Sequence, residues 1–463
     1  MSDIPDSLID IRHRSGKHAL WSVKEEVVSH SELPARGAVF WPVGTGDSST
    51  IVLDDDIVIQ IDLHDLAMAQ EEETPHVPVV DRLIEALPTV DGMPYLAVFA
   101  LTHADKDHCL GFADLLGRVR IGELWATPRM WREFNDPDAP TPCSDAEAFQ
   151  EESERRVAAT KKAVAAGGEP VSGDRILVIG YDTDHEDHAY SELPDKYLSG
   201  PGKSVSTLDE HDCSDRFEVF FHAPFADDCA AERNETSLAM QITLTDESGV
   251  DGKMLLFGDL AHDTIMKIFN YSVDHNRREK LEWDLLLAPH HCSKKVMYLP
   301  VDGEDVLHQD VLDVFSVNAR RDDVVIVSSS DSFRPKDEPG MSPPHRKARD
   351  RYQEIAEVIC TMSWGDESAP SPVVFGVDAL GPRIIRESVS ALSASAGFAK
   401  SAALPSRRRL AAVTAAAVTV AQALPAATAA AESQRSGAER VQDAIATDRG
   451  GASAPDAPVG FGR

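Results

Sequence analysis

Residues 101–112 read LTHADKDHCLGF, which places His103, Asp105, Asp107 and His108 within six positions, directly behind an apolar run. Imidazole and carboxylate in this mixture form the ligand set for zinc, manganese or iron. Two later apolar runs end in the same chemistry. KMLLFGD closes on Asp259, and WDLLLAPHH closes on His290 and His291. Two metals sharing a carboxylate can position and activate a water for hydrolysis. One such ending would read as a polar loop or a capped strand. Three in order read as a metal rim, because strand ends converge at one edge of a layered α/β protein.

The elements that must carry these residues are legible from hydrophobic period. GAVFWPVGTGDSSTIVLDDDIVIQIDLHD gives three short apolar runs broken by Gly-Thr-Gly-Asp and Asp-Asp-Asp, the pattern of a strand meander. Residues 77–88 have helical spacing, whereas YLAVFALTH is a continuous apolar run, as in a strand covered on both faces. A helix over GFADLLGRV and a strand over IGELWATP continue a βαβ rhythm. Residues 130–215 differ, with a long charged helix, the run GDRILVIG and an acidic loop, and read as an insertion or lid. The rhythm resumes with RFEVFFHAPF, TSLAMQITLTD, KMLLFGDLA, WDLLLAPHH and DDVVIVSSS, and PVVFGVD closes the domain near residue 385. The expected organisation is an arm over 1–35, a hydrolase domain over 36–387 and an Ala-rich tail over 388–463, weakly structured or marginally helical.

Composition narrows the substrate. The 463 residues carry a net charge of −33, from 78 acidic against 45 basic side chains. Global charge therefore supplies no groove for nucleic acid, and a polyanion would need a local cation cluster or bound metal. The six cysteines, Cys109, Cys143, Cys213, Cys229, Cys292 and Cys360, form no C-x-x-C pair, and MSDIPDSLIDIRHRS has no apolar secretory core. A reducing cytoplasm is the expectation. The uncharged stretch Leu410–Ala431 has the length of a membrane span but is mostly Ala and holds Gln422 and Pro425, so membrane contact is expected only through this tail, if at all.

Taken together, H-x-D-x-D-H after a strand, G-D after a later one and H-H-x-S after the next resemble the metallo-β-lactamase superfamily. Within it, the chain resembles the hydrolase domain of ComEC/Rec2-type DNA-uptake proteins, over roughly residues 37–380 and in the same order. The motifs carrying this are VGTGD (Val43 to Asp47), IQIDLHD with Asp62, THADKDH, and NETS (Asn234 to Ser237), where other members use a histidine. The resemblance implies an αββα sandwich with its site on one edge, loaded with one or two divalent ions, Zn²⁺ or Mn²⁺. By position, Asp107, His108 and His290 would hold the second ion and Asp259 would bridge. His103 would serve the first, with Asp105 in place of the usual second histidine and Asn234 where a third ligand would stand. His291 could replace His290 as ligand or touch the substrate. Asp107, Asp259 and His291 are thus the candidate catalytic residues, and Asp62 supports from behind. Departures from the pattern include Cys292 for a glycine in HHCS, and IDLH for the I-D-G-G turn, which adds His64 near the rim.

Other clusters weigh less. DTDHEDH (Asp182 to His188) has no apolar strand leading into it and reads as a solvated loop. HRKARDR (His345 to Arg351) reads as a solvated helix face, with His345 a candidate phosphate contact, while Lys294 is better placed for an anionic substrate. Cys109 reads as a small buried filler. The expected activity is metal-dependent hydrolysis of an anionic phosphodiester, in a nucleic acid or a nucleotide. Lactone, thioester or other small-ester hydrolysis, and a metal-bound role beside a protein partner in a defence- or toxin-like assembly, are the alternatives.

Overall fold

The computed structural model describes residues 33–386 apart from 55, 72–73, 136–140, 181–188, 226–232 and 367. The expected arm (but for its last residues), the tail and the DTDHEDH loop therefore lie outside the described residues.

Two large sheets form the centre of the described chain. In the first, the strand order runs Arg383–Ile384, Val373–Gly376, Gly37–Phe40, Ser49–Val52, Val58–Ile61, Met93–Ala100, Arg120–Ala126, Arg175–Ile179 and Leu198–Ser199, with Thr89–Val90 added beside Met93–Ala100. The meander at its start is antiparallel, and from Val58–Ile61 onward this order is parallel. The second sheet runs Glu357–Cys360, Val325–Ser328, Leu285–Leu287, Asp251–Leu256, Ala239–Thr245, Phe217–Ala223 and Ser204–Val205. Its first four strands are parallel neighbours and the rest antiparallel.

Each sheet is buried on both faces, which is why its strands read as unbroken apolar runs. Ala38, Phe40 and Trp125 of the first sheet meet Phe221, Met240 and Leu285 of the second in one cluster, with the Trp125 and Phe221 rings 5.5 Å apart. The alternate residues Val39 and Trp41 turn outward, where Leu83, Phe112 and Phe149 from helices cover them. On the far side Ile265, Phe269 and Phe315 cover Leu255, Phe257 and Ile326. The layers are helix, sheet, sheet, helix, the αββα arrangement expected.

The segment 130–215 is integrated more deeply than a covering lid. Its helix Ser144–Ala165 packs Phe149 against Phe99 and Phe112, and Arg175–Ile179 and Leu198–Ser199 extend the first sheet. The helix is charged around much of its surface, and only the stripe with Phe149 and Val157 faces the core. No helix among the described residues is long and apolar enough to cross a membrane.

Burial has one consequence for acid stability. His222, on Phe217–Ala223, is buried, and its Nε2–H donates to the Lys280 carbonyl at 2.9 Å. Desolvation lowers its pKa to about 4, against 6.5 when exposed. Between those values the unfolded chain takes up a proton that the folded chain refuses, so this stabilisation is whole above pH 6.5 and fades as pH falls toward 4. Urea unfolding at pH 7 and pH 5 is expected to show about 2 kcal/mol less dependence on pH in His222→Gln than in wild type. Equal slopes for the two proteins would contradict it.

Candidate metal centre

The rim residues come from the C-terminal ends of parallel strands in both sheets. Asp62 follows Val58–Ile61, Thr102 and His103 follow Met93–Ala100, Asp259 follows Asp251–Leu256, and His290 and His291 follow Leu285–Leu287. Ser329, after Val325–Ser328, closes the set. The edge where strands end and chains turn outward is where an open α/β sheet leaves a crevice.

Asp259 is the centre of the arrangement. Its Oδ1 lies 3.3 Å from His108 Nε2 and 3.4 Å from His291 Nε2, and those two nitrogens are 3.2 Å apart. Asp107 Oδ2 is 3.5 Å from His291 Nε2. A tetrahedral ion with bonds of about 2.1 Å sets its ligands about 3.4 Å apart, which is the spacing of Asp259 Oδ1, His108 Nε2 and His291 Nε2, with Asp107 beside His291. The other oxygen, Asp259 Oδ2, faces a looser group: His290 Nε2 at 3.6 Å, His103 Nε2 at 3.8 Å and Asn234 Nδ2 at 3.4 Å. Asp105 Oδ2 completes that side, 3.6 Å from His103 Nε2. One carboxylate thus divides the ligands into two sets.

Hydrogen bonds behind the rings decide which nitrogen points inward. Asp62 accepts from the Thr102 amide (2.7 Å), the Thr102 hydroxyl (2.7 Å) and His108 Nδ1 (2.8 Å). Having donated to Asp62, the Thr102 hydroxyl can only accept from His103 Nδ1, 3.1 Å away. His291 Nδ1 faces the Ser329 carbonyl at 3.1 Å, an acceptor only. All three rings therefore carry hydrogen on Nδ1 and aim Nε2 at the centre, the orientation that second-sphere acceptors impose on metal-binding histidines.

That orientation leaves a problem that a cation solves. His103 Nε2 and Asp259 Oδ1 are buried without a hydrogen-bond partner. If neutral, His108 and His291 would point lone pairs at each other across 3.2 Å. A proton or a metal ion must lie between them, and the residues present fit a divalent ion. The electrostatics agree. Burial opposes charge on His108 and His291, but Asp259, with Asp62 for the one and Asp47 for the other, outweighs it and raises both well above the usual range. Burial likewise opposes charge on Asp259, yet His291, His108 and His103 hold its carboxyl well below the usual range. Burial lowers His290, aided by His291, Lys295 and His103 and opposed by Asp259, which keeps it a neutral donor.

Most of the sequence candidates gather here, with changes of role. The set implied by resemblance placed His290 beside Asp107 and His108. The structure puts His291 there instead and turns His290 toward His103. Residues His290, His291 and Cys292 all have positive φ (51°, 51° and 62°), and this left-handed turn sends adjacent histidines to opposite oxygens of Asp259. Cys292 adopts the conformation that a glycine would take more cheaply. Asn234 donates an amide hydrogen to Asp259. Lys294 Nζ is committed to Asp305 Oδ2 at 2.6 Å, and the exposed Lys295 is the cation beside His290. His345 uses both ring nitrogens on backbone, accepting from Lys294 N–H and donating to the Met341 carbonyl, so it clips the loop after the histidine pair. HRKARDR forms the helix Arg346–Tyr352, which buries Ala348 and Tyr352.

Asp47 was missed as a carboxylate that supports the rings from behind. Its carboxylate lies 3.5 Å from His291 Nδ1 and 4.0 Å from His108 Nδ1, and it joins His108, Asp259 and His291 in one compact buried group. The VGTGD motif contained it, but no strand-end argument assigns a turn residue to a site 60 positions away. Ser237 was hidden similarly in NETS. Its hydroxyl bonds the Asn234 carbonyl and lies 3.3 Å from both His103 Nδ1 and the Asp259 amide.

Gly46 shows how closely this turn is packed. A Cβ there would lie 2.2 Å from His64 Nδ1 and 2.7 Å from the Asp107 carbonyl. His64 itself is buried at the rim, and burial lowers its pKa to about 4. Gly46→Ala must push His64 and the Asp107 backbone apart, at about 1–3 kcal/mol. Lower thermal stability together with reduced metal content is the expected result, measured by calorimetry and metal analysis. Unchanged values for both would show that the turn yields freely.

No family model matches the chain, and no curated protein matches it. Among solved structures, the chain is similar to the metallo-β-lactamase MIM-1 from Novosphingobium pentaromativorans at 16% identity, over 56% of this chain and 77% of that one, with a TM-score of 0.27. It is also similar to an archaeal metallo-β-lactamase superfamily protein from Sulfolobus tokodaii, at 9% identity over 70% and 97% of the two chains, with a TM-score of 0.25. At these scores the reading of the centre rests on its own geometry.

Proposed function

We propose that this chain is a metal-dependent hydrolase whose substrate is an anionic phosphodiester, in a nucleic acid or a nucleotide. The observation that carries the reading is Asp259, whose two oxygens each face a separate set of ligand atoms at coordination spacing. One or two divalent ions, Zn²⁺ or Mn²⁺, would supply Lewis acidity and lower the pKa of water there.

The chain's own residues do the rest. Asp62 and the Ser329 carbonyl hold the inner rings in one tautomer, so no reorientation is needed during reaction. Asp107 is at the open side, with 37% of its side chain exposed. Although burial raises it, His291 and His108 beside it hold its pKa low, so its carboxylate is ionised and can accept hydrogen from an attacking water. A cleft of about 710 Å³ is lined by Thr45, two residues before Asp47, and by His76, Asp331 and Arg334. Arg334 in this cleft and Lys295 beside His290 would supply local positive charge for an anionic substrate.

Labelled single- and double-stranded DNA, RNA and a small phosphodiester, each with Mn²⁺, Mg²⁺ or Zn²⁺, test this reading. Cleavage that needs metal and drops at least about 100-fold in Asp107→Ala is the expected outcome. Metal-loaded protein that leaves every phosphodiester intact while turning over a lactone or thioester would replace the substrate class.

A further inference from the structure

We infer that the chain carries a second metal site, separate from the Asp259 centre, formed by His262, His308 and Asp310. One ligand atom from each of the three lies within 4.8 Å of those from the other two. His262 opens the helix His262–Asp274, and His308 caps the helix Gln309–Asn318, on which Asp310 sits. These helices pack through Phe269 and Phe315, whose rings are 5.7 Å apart, so the two ends are held together by the core beneath them.

The contacts of His262 are those of a metal ligand with its support in place. Its Nδ1 pairs with Asp263 Oδ1 at 2.8 Å, and its Nε2 faces Asp310 Oδ1 at 3.0 Å. A carboxylate on one ring nitrogen directs the other toward a metal, as in carboxylate–histidine–zinc triads. The side chain of His262 is 8% exposed while that of Asp310 is 51% exposed, so the group is anchored from below and open to solvent above. With nothing bound, one proton on Nε2 satisfies Asp310, and burial is outweighed by the two carboxylates, which raise the pKa of His262. That ion pair has no use for a second imidazole. Yet the His308 ring lies against His262, centroid to centroid at 4.9 Å, and adds a third donor.

Two imidazoles and one carboxylate select a borderline ion such as Zn²⁺ over Mg²⁺ or Ca²⁺. The ion would take the place of the Nε2 proton, which leaves to solvent. Both helices present their N-termini here, and their dipoles oppose a cation. The carboxylates of Asp263 and Asp310 offset that. An ion at this position would tie the first turn of the helix that starts three residues after Asp259 to the neighbouring helix.

Zn²⁺ is the probe, with the full chain freed of metal and then titrated calorimetrically and by equilibrium dialysis with metal analysis. Asp259→Ala removes the bridging ligand of the main centre, and the combination with His308→Ala should bind one equivalent fewer than Asp259→Ala alone. In the wild-type background His308→Ala should also lose one equivalent, and Zn²⁺ should raise Tm less than in wild type. Because His308 is only half-buried, the variant is expected to fold, which circular dichroism checks. Identical stoichiometry with and without His308, in either background, overturns the inference. This result is independent of whether the Asp259 centre proves hydrolytic.

Discussion

Replacing Asp259 with alanine is expected to abolish turnover, by on the order of 10³-fold or more, and to strip the centre of metal. The carboxylate stands between two ligand sets, with one oxygen toward His108 and His291 and the other toward His103 and His290. The companion Asp259→Asn keeps the shape but removes the charge that sustains His108 and His291 in their raised state. Metal analysis and steady-state cleavage of the best phosphodiester check both variants. An Asp259→Asn protein that keeps its metal but loses turnover would assign the carboxylate to chemistry. One that keeps both would show that Asp259 is neither a required ligand nor a catalytic group.

Asp62→Ala should have the largest effect on stability. It takes away the acceptor for the Thr102 amide, the Thr102 hydroxyl and His108 Nδ1 at once, all of them buried. Removing one partner from a buried charged network costs about 3–5 kcal/mol, because the groups left behind stay desolvated. Metal affinity should fall about 10–100-fold as well, since His103 and His108 lose the contacts that fix their tautomers. Urea unfolding of metal-free protein measures the first effect, and competition with a chelator measures the second. A variant with unchanged unfolding midpoint and weaker metal binding would confine Asp62 to orienting the rings. Unchanged values in both would refute its role.

Much of the scaffold was legible because its signals are local. Met93–Ala100 and Leu285–Leu287 are apolar throughout since both sheet faces are covered, and no tertiary knowledge is needed to see a doubly buried strand there. The His and Asp residues that end them were visible for the same reason: polar ligands directly behind a buried run have few other uses. The helix Ser144–Ala165 was legible as a helix within an insertion or lid, but its narrow apolar stripe and many charges did not show which layer it would join. Period reveals a helix, while the layer it joins depends on what covers that stripe.

By itself, then, the sequence determined that an α/β chain ends several buried strands in imidazole and carboxylate, and that its charge disfavours a broad nucleic-acid surface. Only the tertiary structure decided which residue serves which side. Spacing cannot separate His290 from His291, because adjacent residues share every sequence signal. Three consecutive left-handed residues send their rings to opposite oxygens of Asp259. Nor can spacing bring Asp47 to His291, or His308 and Asp310 to His262, since these meetings depend on how turns and helix ends pack across the fold. Ligand type is written in the chain one residue at a time, whereas ligand geometry is a property of several strand ends at once.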